Sequence, residues 1–286
     1  MDIRIDLHMH STVSDGTDTP EELLKLVRNA GIELFALTDH DSVKGCGILR
    51  KILTTGDPCL LSGVEFSCRD EEGKYHILGY GFDPESLPVR QLLEKGNTIR
   101  LRKMEERLKC LRTSFGISFP EEEVYRLFAL DNPGKPHLAN LMVKYGYAEN
   151  RGQAFSEILN RIHVPAAFVY PEEAIEGILQ GGGIPVLAHP VYGSGEELII
   201  GTELEHRVDR LKGFGLQGLE GFYSGYSPKQ EQEILFLAEK YEMYVTAGSD
   251  YHGKNKLVRL GDTTFNQTQT IPEGMKRFLR DIHRAQ

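Results

Sequence analysis

Histidines and carboxylates recur at one kind of place along this sequence. His8, His10, Asp39, His40, Glu65, His189, Asp250 and His252 each stand at, or within a few residues of, the C-terminal end of a segment that reads as a β-strand. Imidazole and carboxylate together suit zinc, manganese or iron, with no thiolate required. In His8-Met9-His10 the rings are two residues apart on extended backbone, so both point to one side and can take one ion. Glu65 has two oxygens and can bridge two ions. Two cations about 3.5 to 4 Å apart lower the pKa of a shared water and neutralise both the attacking and the leaving oxygens of a phosphoryl transfer. Asp39 has two readings, a helix cap and a partner that orients a ligand histidine.

The elements that must position these groups alternate in type. Ile3, Ile5 and Leu7 alternate with polar residues as a half-buried strand does, and a polar loop covers 11–19. The pattern predicts a helix over 20–30, with Thr19 as N-cap, Pro20 in the first position and Gly31 as its stop. Strands follow at 34–37, ending in Thr38-Asp39-His40, at 60–64, ending in Glu65, and at 75–82, carrying His76. After 171 a helix ends at Gly181-Gly182-Gly183, a strand at 184–188 ends in His189, and a strand at 216–222 carries Glu220. A helix from Ser227 to about Tyr241 and a strand at 243–247 lead to Gly248-Ser249-Asp250-Tyr251-His252. Such alternation predicts a parallel sheet or barrel, whose strand C-termini share one face, so residues far apart in sequence converge there. Between 88 and 170 the pattern is helical without a convincing strand, which predicts barrel residues 1–87 and 171–286 around an inserted helical subdomain, 88–170, forming one wall of the pocket. Most charges of 92–111 read as the solvated face of an amphipathic helix. His206 and His283, in helical patterns away from strand ends, read as surface residues.

Composition bounds the partners. With 40% hydrophobic and 26% charged residues the chain has the balance of an ordinary soluble protein, and 286 residues suffice for one α/β barrel or a smaller core with an insertion. No apolar run approaches the roughly 18 residues of a membrane span. The start, Met1-Asp2-Ile3-Arg4, lacks the regions of a signal peptide, which predicts a cytoplasmic location. The net charge of −9 disfavours a broad grip on duplex DNA or RNA and leaves a small anionic substrate compatible. Cys46, Cys59, Cys68 and Cys110 form no C-x-x-C pair and read as reduced packing residues.

Asp6-Leu7-His8-Met9-His10-Ser11, Thr38-Asp39-His40-Asp41, Gly63-Val64-Glu65, His76-Ile77-Leu78-Gly79, Ala188-His189-Pro190 and Gly248-Ser249-Asp250-Tyr251-His252 together resemble the polymerase and histidinol phosphatase (PHP) family, in order and across essentially the whole chain. The resemblance implies an α/β fold, a distorted (β/α)7 TIM-like barrel, binding two or three divalent metals, with Mn2+ the first choice and Zn2+ or Fe2+ alternatives. By position it implies His8, His10, Glu65 and Asp250 on a first metal, Glu65, His76 and His189 on a second, and Asp15, His40 and His252 on a third. Glu65, Asp250 and His189 are the catalytic candidates. Ser14-Asp15-Gly16-Thr17, Pro136-His137-Leu138-Ala139, the helical insertion and the run 218–227 resemble the branch that hydrolyses nucleoside 3′,5′-bisphosphates, which also includes relatives that trim short RNA from the 5′ end. Likeness to that branch implies release of the 3′-phosphate from a substrate such as 3′,5′-adenosine bisphosphate, leaving AMP, with Lys135, His137 and Arg126 as phosphate-binding candidates. The alternatives are a 5′-to-3′ exonuclease on short RNA and a non-catalytic binding module. Two departures mark this chain. Lys135-Pro136-His137 stands where relatives usually show Arg-Pro-His, keeping the charge without the bidentate fork. His163-Val164-Pro165-Ala166 stands where they usually carry a Gly-Lys-Pro-Ala type segment.

Overall fold

The alternation of apolar runs and capped helices appears element by element in a computed structural model of the chain, which describes residues 3–164, 167–193, 197–267 and 270–282. The readings that touch Met1, Asp2, Pro165, Ala166 and His283 lie outside those residues. β1 (Ile5–Asp6) is followed by α1 (Pro20–Asn29), whose Thr19 closes a capping box with Glu22 and whose end passes into Gly31 at φ +63°. α1 buries Leu23, Leu24 and Val27. β2 (Leu34–Ala36), α2 (Lys44–Ile52), β3 (Cys59–Leu61), β4 (Gly63–Arg69) and β5 (Lys74–Tyr80) come next. The helical stretch holds α3 (Leu87–Phe115), α4 (Glu121–Ala129), α5 (Lys135–Lys144) and α6 (Arg151–Gln153), and α7 (Pro171–Gln180) follows it. β6 (Ile184–Leu187), α8 (Gly201–Gly213), β7 (Gly218–Tyr223), α9 (Pro228–Lys240), β8 (Tyr244–Gly248) and α10 (Glu273–Ile282) complete the order.

Two sheets result: β1, β2 and β3 form a parallel one, and β4 to β8 a mixed one in sequence order. This corrects two expectations. The described strands form no closed seven-stranded barrel, although backbone hydrogen bonds stitch the sheets at both flanks. Leu7 N–H donates to Ala247 and Asp250 N–H to His8 on one side, and Asp41 N–H donates to Glu65 on the other, at 2.9, 2.8 and 3.0 Å. Nor are all strands parallel, since β5 runs antiparallel to both β4 and β6. The reason is chain length: only Asp70 to Gly73 separate β4 from β5, far too few residues for a crossover, so a hairpin is forced. Glu65 also moves from a strand end to a strand interior, because the run 60–65 breaks at Ser62, whose hydroxyl donates to the Phe82 carbonyl at 2.7 Å, and β4 continues to Arg69.

Apolar packing falls into separate clusters. The main core packs the sheets against the first turns of α3, through Val89, Leu92 and Ile99. A second cluster gathers Met104 and Leu111 of α3 with Leu138 and Met142 of α5 and Leu159. α3 therefore spans both, which fixes the helical stretch beside the strand ends. Among the described residues no helix is long and apolar enough to cross a membrane.

Candidate metal centre

All the ligand candidates meet at one end of the sheets. His8 and His10 follow β1, His40 follows β2, Glu65 lies in β4, His189 follows β6, and Asp250 and His252 follow β8. His76 joins them from the opening residues of β5, because an antiparallel strand turns its N-terminal end to the face where its parallel neighbours turn their C-terminal ends. Asp15 arrives on the loop before α1.

Their separations are those of ligands around ions. His8 Nε2 lies 3.3 Å from Glu65 Oε2 and 3.5 Å from Asp250 Oδ1, and His10 Nε2 lies 3.1 and 3.4 Å from the same two oxygens. A tetrahedron with bonds of about 2.1 Å has edges of about 3.4 Å. The other oxygen of Glu65, Oε1, faces His76 Nδ1 at 2.8 Å and His189 Nε2 at 3.2 Å. Asp15 Oδ1 lies 3.3 Å from His252 Nε2 and 3.9 Å from both His40 Nε2 and His10 Nδ1, while His40 Nδ1 reaches Glu65 Oε2 at 3.1 Å. His10 and His40 thus stand between groupings that the resemblance kept apart. His206, by contrast, sits exposed on α8.

Whether cations fit can be judged from unpaired atoms. His8 Nε2, His10 Nε2, Asp15 Oδ1, His40 Nδ1, Glu65 Oε2 and His76 Nδ1 are buried without a hydrogen-bond partner. Orphaned polar atoms are costly and rare, so a cluster of them aimed at one another calls for a charged guest. Burial alone would raise the Glu65 carboxyl, yet His76, His40 and His8 hold it well below the usual carboxylate range. Burial is likewise outweighed at Asp250, by Lys256, His8 and His252. Both acids are therefore anionic, the state that binds a cation. The residues fit divalent metal.

A supporting layer holds the donors in register. Glu220, fully buried in β7, accepts from His8 Nδ1 at 2.9 Å and from the His189 N–H at 2.7 Å. That leaves the His8 Nε2 lone pair aimed into the cluster. Asp39 accepts from the Ser11 N–H and hydroxyl and from the Ser14 hydroxyl at 2.7 to 2.8 Å, and Ser14 Oγ is 3.4 Å from His10 Nδ1. Of its two readings, the orienting one matches these contacts. Asp250 Oδ2 is held by the Tyr223 hydroxyl at 2.9 Å and by Lys256 Nζ, leaving Oδ1 to the histidines. Strain is concentrated here: His189 and Asp250 adopt left-handed φ of 27° and 56°, which non-glycine residues keep only where the surroundings over-determine them. At Gly248 a Cβ would lie 2.2 Å from the His8 Cβ and 2.4 Å from Glu220 Oε1, so β8 can approach only without a side chain. Glu220, Tyr223 and Lys256 were not among the sequence candidates; for Glu220 the readable signal is one carboxylate inside an otherwise apolar and aromatic strand.

The cluster opens on two clefts. The first, about 470 Å³, is walled by α3, the β4–β5 hairpin and the start of α5; the second, about 430 Å³, by Arg151, Tyr192, Tyr223, Asn255 and Lys256. Asp15, His40 and His76 line both. Lys135 lines the first cleft, with Nζ on Asn160 Oδ1 at 2.8 Å. His137 does something else: its Nδ1 accepts the Gly134 N–H at 3.0 Å, the ring meets the Ser14 backbone, and burial holds it below the usual histidine range. It ties α5 to the loop that carries Asp15. Arg126 is a correction: its side chain is 62% exposed and pairs with Glu122 and Glu123 on the outside of α4, so it lines neither cleft. Arg126→Ala should accordingly change KM by less than about twofold; a tenfold rise in KM would return Arg126 to the site. The solvated reading holds for most of the α3 charges, Glu94, Arg102, Glu105, Glu106 and Lys109 among them, but Arg100, Lys103 and Arg107 share one helix stripe and line the first cleft.

The chain is similar to known proteins along most of its length. The PHP domain model matches residues 6–129. A 5′-3′ exoribonuclease of Haemophilus influenzae is 30% identical over 274 residues, covering 94% of this chain and 97% of its own. A 3′,5′-nucleoside bisphosphate phosphatase of Chromobacterium violaceum is 27% identical, covering 97% and 96%. The crystal structure of a candidate metal-dependent phosphoesterase from Bifidobacterium adolescentis superposes with a TM-score of 0.82 at 27% identity, over 98% of this chain and 96% of that one. With the donor cluster and the relatives in agreement, the chain belongs to the PHP family and is a metal-dependent hydrolase of phosphoesters.

Proposed function

We propose that the protein removes the 3′-phosphate of nucleoside 3′,5′-bisphosphates, 3′,5′-adenosine bisphosphate among them, to give the nucleoside 5′-monophosphate and inorganic phosphate. The observation that carries this reading is a cationic cleft adjoining the donor cluster, which matches a substrate with one phosphate at the metals and another a few ångströms away. The name of the Chromobacterium violaceum relative supports it.

In this reading His8, His10, Glu65 and Asp250 hold one ion, Glu65, His76 and His189 a second, and Asp15, His40 and His252 a third. The ions, manganese first among them, supply positive charge at the phosphoryl oxygens and acidify water. The chain's own groups do the rest. Glu65, Asp250 and His189 fix the geometry around the reacting phosphorus. Lys135 and Arg100 orient the non-reacting 5′-phosphate, and Arg100 is itself aimed by Asp41 and by Ser67 Oγ at 2.7 Å. The oxygen of water bonds to phosphorus as the bond to O3′ breaks, and the departing O3′ leaves as the hydroxyl. A phosphate-release screen over nucleotides bearing 2′-, 3′- and 5′-phosphates tests this, with the 3′,5′-bisphosphate expected as the best substrate. No release from any 3′-phosphate would end it. Lys135→Ala should raise KM about tenfold and leave kcat within about twofold, as loss of uniform binding does. A defect confined to kcat would remove Lys135 from this role.

The second cleft supports another reading, 5′-to-3′ hydrolysis of short RNA, as the Haemophilus influenzae relative is named. Room on both sides of Asp15, His40 and His76 suits a diester with a nucleotide on each side. Turnover that rises with oligonucleotide length from two to five would favour it over the bisphosphate.

A further inference from the structure

The first cleft is graded along its length. β4 and β5 pair Ser67 with His76, and Arg69 with Lys74. Residues 65, 67 and 69 share one face of β4, so the Arg69–Lys74 rung lies roughly 7 Å further from the cluster than the Ser67–His76 rung. α3 runs beside the hairpin in the same order: Gly96 packs on Asp41, Arg100 binds Asp41 and Ser67, and Lys103 stands over Phe168, which Arg69 covers as well. Lys103 Nζ and Arg69 Cζ lie 4.5 and 4.7 Å from the Phe168 ring centre. Arg107 follows one turn beyond Lys103.

The outer part of the cleft carries more positive charge than its surroundings account for. Among the described residues, Arg69, Lys74, Lys103 and Arg107 have no carboxylate at ion-pair distance, and Arg107 Nε is buried without a partner. Two of the three acids of the hairpin turn are engaged elsewhere, Asp70 by Arg210 and Glu72 by Arg210 and His206, and the third, Glu71, is exposed and at ion-pair distance of none of the four cations. In a chain of net charge −9, four cations without a carboxylate partner at one cleft, Arg69 and Lys74 exposed at its rim and Lys103 and Arg107 partly buried along its wall, make a local excess of positive charge. Burial and the neighbouring Arg107 and Arg100 push the Lys103 ammonium down to about 8, as expected of like charges held together.

We infer that Arg69, Lys74, Lys103 and Arg107 form a second anion subsite, which takes a further phosphoryl group attached to the substrate's 5′-phosphate. The inference rests on a 5′-phosphorylated nucleotide occupying this cleft, and it extends the substrate class to nucleotides with a 5′-diphosphate. Arg100 and Lys135 hold the first 5′-phosphate, and the outer four hold the next.

Calorimetric binding of ADP and AMP to the metal-loaded protein tests this without needing any 3′-phosphate to be cleaved. ADP should bind about tenfold more tightly than AMP, since a charge-assisted contact contributes this much or more. In K103A/R107A the two should bind within about twofold of each other, with AMP affinity within about threefold of the parent. R69Q/K74Q, on the exposed hairpin, should give the same loss of preference and serves if the helix variant does not fold. Equal binding of ADP and AMP to the parent, or equal loss of both nucleotides in the variants, overturns the subsite. Phosphate release from 3′,5′-adenosine bisphosphate is measured on the same preparation. Its failure would defeat the bisphosphatase reading and leave the ADP–AMP comparison to decide the subsite alone.

Discussion

Glu65→Gln should abolish turnover, by about a thousandfold at least, and lower the metal content of the purified protein. The carboxylate is the hub of the cluster: Oε2 lies 3.1 to 3.3 Å from nitrogens of His8, His10 and His40, and Oε1 lies 2.8 and 3.2 Å from those of His76 and His189. An amide of the same shape loses the negative charge and turns an NH2 group toward imidazole nitrogens that need an anion or a cation. Loss of a preorganised group at developing charge costs on the order of a hundred- to a thousandfold, and here ion binding is lost as well. Elemental analysis of the parent should find two or three divalent ions per chain, and fewer in the variant. Added Mn2+ should not restore the variant. Asp250→Asn should also abolish turnover and lower metal content. Parent-like metal content and activity in both variants would sink the assignment of these carboxylates as ligands.

Glu220→Gln should act at one remove. The carboxylate touches no candidate ion position, yet both of its oxygens are committed, one to His8 Nδ1 and one to the His189 N–H. A glutamine has one acceptor for two donors, so either His8 flips its tautomer and loses the lone pair at Nε2, or the His189 amide is left unpaired in the interior. Removing such a partner of a metal-binding histidine typically lowers metal affinity 10- to 100-fold. Leaving a buried donor unpaired costs about 1 to 3 kcal/mol, which for a chain of this size lowers Tm by roughly 2 to 10 °C. The variant should therefore melt early and need more Mn2+ for half-maximal activity, while recovering much of its rate in excess Mn2+. That rescue separates it from Glu65→Gln. An unchanged Mn2+ dependence would show that Glu220 does not position His8.

Much of this could be read from residue order, for reasons that particular residues make plain. α1 is legible because Thr19, Pro20 and Gly31 each have a backbone reason for their place. The ligand candidates at the ends of β1, β2, β6 and β8 are legible because strand ends recur in the pattern and the side chains are scarce types. The direction of β5 is not legible from alternation, which looks the same in either sense; the four-residue gap Asp70 to Gly73 was the available clue. Arg100, Lys103 and Arg107 could not be told from their solvated neighbours, because a charged helix face has the same sequence whether it meets bulk water or a cleft. Only the packing of Gly96 on Asp41 and the pairing of Arg100 with Asp41 decide that, and both are long-range contacts. Arg126 failed in the opposite direction, a cation in the right segment whose helix turns it outward to Glu122.

The hydrogen bonds between β1 and β8 set a schedule for the nascent polypeptide. His8 and His10 leave the ribosome first, but the oxygen that completes their quartet belongs to Asp250, and the strand that presents it cannot dock before it has been made. In the proposed assignment, capture of the ion held by His8, His10, Glu65 and Asp250 should therefore come late in maturation. A C-terminal truncation that removes Asp250 should leave the part by which the family is recognised, residues 6–129, but take away the ability to retain the first ion.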